Sequence, residues 1–371
     1  MNPFRFGNVV TGEYFTNRIK EIKEIVSEIN AGQHIVLMSP RRYGKTSLVN
    51  EAMKASGVKG FKINMELIAD EIDLANYYIK NALSLSKFEK IKHYLKNLKI
   101  QPYIQLQPTT NEVSVSFNAE TRNISTLLSD SLQLPEIIAK NIKKKIVIVF
   151  DEFQEIRRIS PLLERKMRGI FQYHQNITYI FIGSQESMIR EIFQNKKNPF
   201  YKFGRHISLR KIPEAEFSDF VIERFSSQKT DAREIVQDIL KFTDCHPYYT
   251  QQLCHEIYIL STGKTLTKEV INNAIDQITM EHHADYSRWW SSLTNTERKV
   301  IIGITLGDYN PTSQEFIRKY GIKSASTSGS VVSKLIALGT LVKTNGEKIK
   351  IEDPFWKEWI LKNRGIGLTR V

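Results

Sequence analysis

Ile35-Val36-Leu37-Met38-Ser39-Pro40-Arg41-Arg42-Tyr43-Gly44-Lys45-Thr46-Ser47 is the stretch that decides the fold. Apolar residues recur at helical spacing from Glu21 to Ile29, Gly32 breaks that pattern, and Ile35 to Met38 then reads as a short buried strand. A loop follows, and helical spacing resumes at Thr46. A strand, a loop and a Gly-Lys-Thr at a helix start form a phosphate-binding loop. Successive backbone N–H groups and the helix N-terminus surround a phosphate, the lysine reaches the β/γ oxygens, and the hydroxyl binds Mg²⁺. Gly44, Lys45 and Thr46 fit that pattern, while Ser39 stands where the first glycine is usual, so the turn there must accept a side chain.

The second signal is Lys143-Lys144-Lys145-Ile146-Val147-Ile148-Val149-Phe150-Asp151-Glu152. Five consecutive apolar positions suit a strand covered on both faces at the centre of a parallel sheet. The two carboxylates then fall at the sheet's C-terminal edge, where α/β folds bind ligands. Asp151 is expected to hold the Mg²⁺ shell and Glu152 to orient and deprotonate an attacking water.

Around these two segments, strands at Phe61 to Met65, Thr178 to Ile182 and His206 to Leu209 alternate with helices at Asp73 to about Leu98, Ile124 to Ile142 and Leu162 to Tyr173. This implies an α/β parallel sheet. Tyr103 to Phe117 alternates like a hairpin, with a polar turn at Pro108 to Asn111, and reads as an insertion near residues 100–120. Beyond Pro213 the strand signals stop. Helical stretches follow at Glu214 to Ser226, Asp231 to Phe242, Pro247 to Leu260 and Lys268 to His282. From Thr294, three helices (Thr296 to Leu306, Thr312 to Tyr320, Ser326 to Leu338) precede two strands around Asn345-Gly346, the pattern of a winged helix. The expected division is a core over residues 1–213, a helical lid over 214–285 and a winged helix over 286–371.

Composition narrows the class. With 371 residues, 41% of them hydrophobic, and only 18 Gly and 11 Pro, the chain is expected to be folded nearly throughout. The run Ile146 to Phe150 is far short of the roughly 20 apolar residues a membrane span needs, and the N-terminus lacks a signal-peptide apolar core. Two cysteines, Cys245 and Cys254, make no disulfide framework. A cytoplasmic protein with reduced thiols and no membrane partner is the expectation. The net charge of +13 favours polyanionic partners: nucleic acid, nucleotide phosphates or acidic protein surfaces.

With these motifs in this order, the sequence resembles the archaeal-type ATPases of the AAA+/STAND group of P-loop NTPases, from about Phe4 to Trp359. The resemblance rests on Phe15-Thr16-Asn17-Arg18, the loop from Pro40 to Ser47, Phe150 to Gln154, Ile182-Gly183-Ser184, Phe203-Gly204-Arg205 and Cys245-His246-Pro247-Tyr248. It implies ATP/ADP and Mg²⁺ as cofactors, and a nucleotide cradle of Ser39, Pro40, Arg41, Arg42, Tyr43, Gly44, Lys45, Thr46 and Ser47, with Thr46 and Asp151 at the metal. It implies Lys45 and Glu152 in catalysis, Ser184 as a polar sensor and Arg205 as a finger on a neighbour's nucleotide, hence homo-oligomers. Asn17 and Arg18 would lie near the adenine, Pro247 would pack on the nucleotide from the lid, and Asn64 would partner Glu152. The residues themselves also fit blander readings: a helix cap at Ser184 and at Pro247, a surface cation at Arg205 and a helix start at Asn17-Arg18.

The function expected is an Mg²⁺-dependent ATPase whose nucleotide state rearranges lid and winged helix. The alternative is a non-hydrolysing, nucleotide-gated scaffold that recruits protein partners. From Thr294 onward there are 13 Lys+Arg against 7 Asp+Glu, which permits DNA contact through phosphates. The reading helix offers only Lys334 among serines, threonines and apolar residues, so base reading is not favoured over a protein partner.

Overall fold

A computed structural model describes residues 2–16, 18–85, 103–106, 113–116, 124–225, 233–261, 265–344 and 348–364. The chain divides into two compact units, one comprising Arg18–Pro40 and Lys45–Arg210, the other Met1–Asn17, Arg41–Gly44 and Lys211–Val371.

In chain order, the first of these units holds α1 (Ile19–Ala31), β1 (Ile35–Met38), α2 (Lys45–Ser56), β2 (Gly60–Asn64), α3 (Glu71–Ser84), β3 (Tyr103–Leu106), β4 (Val113–Ser116) and α4 (Ile124–Ile142). These are followed by β5 (Ile146–Asp151), α5 (Ile156–Ile159), α6 (Leu163–Phe171), β6 (Ile177–Gly183), α7 (Glu186–Gln194) and β7 (Arg205–Ser208). Five strands form one parallel sheet flanked by helices, in the order β2-β5-β6-β1-β7. The central strands β5, β6 and β1 are buried at every residue, as apolar runs covered on both faces must be. β2 lies at the sheet margin and alternates, with Phe61 and Ile63 buried and Gly60, Lys62 and Asn64 on the other face. The core under one face is aromatic: Phe171 and Tyr179 stack at 4.0 Å, and Phe150 lies parallel to Phe181 at 5.5 Å. Fully burying such side chains contributes roughly 1.5–3 kcal/mol each.

Parallel register settles where the strand ends fall. Met38 pairs with Gly183 and Ser208, and Asn64 pairs with Asp151, so the residues that follow β1, β5 and β6 emerge along one edge. The expected hairpin exists as antiparallel β3 and β4, and its turn lies outside the described residues. The helix expected from Asp73 to about Leu98 is described only as far as Ser84.

The second unit begins with the helices α8 (Glu214–Phe225), α9 (Arg233–Thr243), α10 (Pro247–Leu260), α11 (Lys268–Glu281) and α12 (His283–Ser292). It continues with α13 (Asn295–Thr305), α14 (Gln314–Tyr320), α15 (Ala325–Ala337), the antiparallel pair β8 (Leu341–Lys343) and β9 (Ile349–Ile351), and α16 (Pro354–Asn363). The segment from α13 to β9 is the winged helix; the tip of its wing, 345–347, lies outside the described residues. α13 opens with a capping box in which Thr294 accepts from the Glu297 amide and Glu297 reaches back to the Thr294 amide. α16 carries Trp356, which stacks on Trp289 at 4.2 Å. Among the described residues no helix is long and apolar enough to cross a membrane.

Candidate nucleotide site

Lys45 is the first residue of α2, and its side chain is buried. Its Nζ donates to the Ser39 carbonyl at 2.8 Å, the Pro40 carbonyl at 2.7 Å and the Ser39 hydroxyl at 3.3 Å. Three oxygens thus gather round an ammonium at a helix N-terminus, where the helix dipole adds further positive potential. Gly44 takes φ +83°, a left-handed value that side chains rarely adopt, and Arg42 takes φ +66°. Ser39 keeps a negative φ, which is why its side chain is tolerated where the loop pattern usually carries glycine.

Thr46 lies one residue on, and its hydroxyl donates to Asp151 Oδ2 at 2.9 Å, joining two segments 105 residues apart. The other carboxylate oxygen of Asp151 accepts from the Glu152 amide at 3.1 Å. Lys62, on the open face of β2, brings its Nζ to 2.7 Å from the same Oδ2 that Thr46 contacts. The donors here are a hydroxyl and a carboxylate, the hard oxygen ligands Mg²⁺ takes, and Oδ2 already faces a positive charge. The residues therefore fit the metal.

Glu152 adopts φ +51°, an uncommon conformation for a non-glycine residue that turns it out of the strand. Its Oε2 accepts from the Ser184 hydroxyl at 2.7 Å and from the Gln154 side-chain amide at 2.6 Å. Ser184 therefore spends its hydroxyl on Glu152, and the residue preceding α7 is Gln185, which makes no side-chain cap. Asn64 is not the partner of Glu152: its side chain accepts from the Glu66 amide and caps the turn after β2. The asparagine forms its nearest satisfied turn, and Gln154, two residues from Glu152, takes the place expected of it.

Arg205 and Arg18 make their described contacts with other residues. Arg205 begins β7 and pairs with Glu24 at 2.8 Å and with Glu28, both on α1. Arg18 is buried, donating to Glu21 and to the Arg210 carbonyl, each at 3.0 Å. Asn17 lies outside the described residues.

In the second unit, Pro247 occupies the first turn of α10 behind His246, whose Nδ1 accepts from the Tyr248 and Tyr249 amides. That bond puts the ring proton on Nε2, which faces Glu352 at 3.2 Å, while burial lowers the affinity of His246 for a second proton. Burial opposes ionisation of Glu352, yet hydrogen bonding from His246 and Tyr43 leaves its carboxyl below the usual range. The loop residues that belong to this unit contribute as well. Tyr43 packs edge-on against His246 at 4.8 Å, and the Arg42 guanidinium lies 4.6 Å above the Tyr248 ring.

Sequence reasoning missed Lys62 and Gln154. The polar alternation of β2 marked Lys62 as facing the same side as Asn64; nothing in the sequence marked Gln154 beyond its closeness to Glu152.

Comparison with known proteins gives the family and the fold. The family model described as an ATPase domain predominantly from Archaea matches residues 15–253, and the model described as "Probable winged helix domain" matches residues 284–362. Among solved structures, the Walker-type ATPase of Pyrococcus abyssi is 15% identical over 94% of this chain and 96% of that one, with a TM-score of 0.64. The ORC2 protein of Aeropyrum pernix, solved as ADPNP-ADP complexes, is 11% identical over 98% and 99%, with a TM-score of 0.56. At such identities the likeness is one of fold. No curated protein matches the chain by sequence. With a family match over more than half its length and a parallel sheet flanked by helices, the chain belongs to the nucleotide-binding ATPase domains found predominantly in Archaea.

Proposed function

We propose that this protein is an Mg²⁺-dependent ATPase. The observation that carries the reading is the 2.9 Å bond between Thr46 and Asp151, which brings the loop hydroxyl and the acidic strand end to one point. In this reading the amides from Ser39 to Ser47 wrap the phosphates. Lys45 exchanges its three loop oxygens for the β/γ-phosphate oxygens, and Thr46 and Asp151 hold Mg²⁺. Bound there, the metal offsets charge on the transferring phosphoryl group. Glu152, released from Gln154 while Ser184 keeps one oxygen oriented, accepts the proton of the attacking water.

The three-part division into core, lid and winged helix belongs to this proposal, as does a cytoplasmic location. So do nucleotide-dependent rearrangement of lid and winged helix, with Pro247 at the nucleotide, Arg18 near the adenine and Arg205 acting on a neighbour's nucleotide. In α15 the single cation, Lys334, is engaged with Glu297 at 2.7 Å. That supports a protein partner, or contact with DNA phosphates, over reading of base edges.

A second reading, a nucleotide-gated switch with negligible turnover, is favoured by the two short bonds that hold Glu152. Steady-state ATP turnover with and without Mg²⁺, with and without duplex DNA, separates the two. Turnover that needs Mg²⁺ and is lost in Glu152→Gln supports the enzyme. Tight ADP retention with no turnover under any condition supports the switch.

A further inference from the structure

Lys62 has no part in the scheme above, yet it makes the shortest contact to the carboxylate on which that scheme depends. It lies on β2 in register with Val149, on the face that Asn64 shares with Asp151, so the strand fixes the root of its side chain. Its Nζ sits 2.7 Å from Asp151 Oδ2, the oxygen that also accepts from Thr46. The Asp151 side chain is 10% exposed and that of Lys62 31%, so the carboxylate is shielded while the ammonium has a way out toward water. A flexible four-carbon stem lets such a group leave without moving its strand.

We propose that Lys62 is a tethered counter-cation for the metal site: it neutralises Asp151 when Mg²⁺ is absent and withdraws when Mg²⁺ arrives. This rests on the reading of Thr46 and Asp151 as the metal position. A carboxylate facing an incoming diphosphate without a cation between them repels it, because like charges in a shielded site interact strongly. With Lys62 in place that repulsion is offset, and metal-free nucleotide can still enter. Lys62 is thus a positioning residue acting through Asp151, and it sets how strongly nucleotide affinity depends on Mg²⁺.

The test is ADP binding to the full chain by titration calorimetry, in MgCl₂ and in EDTA, for the wild type, Lys62→Met, Lys62→Gln and Lys62→Arg, with thermal melts to confirm folding. The quantity read is the ratio of the Kd in EDTA to the Kd in Mg²⁺. Removing the ammonium should raise that ratio about tenfold, the effect of one uncompensated charge in a partly shielded site. The rise should come from weaker binding in EDTA together with equal or tighter binding in Mg²⁺, where no ammonium has to be displaced from Asp151, and Lys62→Arg should restore the wild-type ratio. If Lys62→Met and Lys62→Gln keep the wild-type ratio while the wild type itself binds better with Mg²⁺, the counter-cation role is overturned and the metal site stands. If the wild type and Asp151→Asn both bind ADP equally with and without Mg²⁺, the metal reading is overturned, and the role of Lys62 with it.

Discussion

Gly183 ends β6 directly before Ser184, and the structure leaves it no room for a side chain. A Cβ built there would fall 2.2 Å from Ile189 Cγ1, 2.4 Å from Ile189 Cδ1 and 2.8 Å from Gln154 Oε1. Ile189 is fully buried, so it has little freedom to yield. Overpacking of this severity costs about 3 kcal/mol, and the smaller unfolded-state entropy of alanine offsets about 1, for a net loss of about 2 kcal/mol in Gly183→Ala. Because Gln154 is one of the atoms struck and Ser184 is the next residue, both partners of Glu152 should shift, and ATP turnover should fall together with stability.

Hydrogen exchange of β6 and α7 peptides across a urea titration measures the stability term locally, and a coupled phosphate-release assay measures turnover. The diagnostic variant is the double Gly183→Ala/Ile189→Ala. Ile189→Ala alone should cost about 2–5 kcal/mol as a core truncation, but in the double variant the new methyl occupies vacated space. The double should therefore be about 1–2 kcal/mol more stable than the sum of the singles. If the two substitutions add within about 0.5 kcal/mol, close approach is not the reason for glycine at 183 and the reasoning fails.

Three further outcomes follow from the same geometry. Lys45→Ala should weaken ADP binding about 100-fold, since a charge-assisted phosphate contact is lost, and equilibrium binding checks this against an unchanged melting profile. Glu152→Gln should retain ATP while turnover drops by about 10²–10³, so single-turnover kinetics with labelled ATP would contradict the assignment by showing wild-type cleavage. His34 and His174 in the sheet unit are each held down to about 4, chiefly by burial, with the Arg168 charge adding to the effect at His34. The unfolded chain then binds their protons near pH 6.5 and the native fold does not until near pH 4. Stability of this unit should accordingly decline as pH falls through that window, by about 1–2 kcal/mol per histidine once partial exposure is discounted. Urea midpoints at pH 7.5, 6 and 5 measure the slope, and His174→Gln should flatten it.

Much of the fold was legible because its signals are local. The all-apolar run before Asp151, the helix start expected at Thr46 and found at Lys45, and the helix-then-hairpin pattern after Thr294 each follow from what backbone and side chains require within a dozen residues. The helices α12 and α16 were not anticipated, since the Trp289–Trp356 stack that ties them draws on positions 67 residues apart. At the site, Ser184 was open between a cap and a sensor; its hydroxyl goes to Glu152. Asn64 was expected at Glu152 and instead caps its own turn.

What the sequence determined by itself is the strand, loop and helix around Lys45, the acidic strand end and their order along the chain, because chain-local geometry and residue chemistry specify them. What only the tertiary structure decided is which side chains share an oxygen. Thr46 and Lys62 on Asp151, and Ser184 on Glu152, where the turn after β5 adds Gln154, are brought together by the register of parallel strands. That register is set by how the whole sheet buries its two faces, a sum over residues far apart in the chain that no single segment carries.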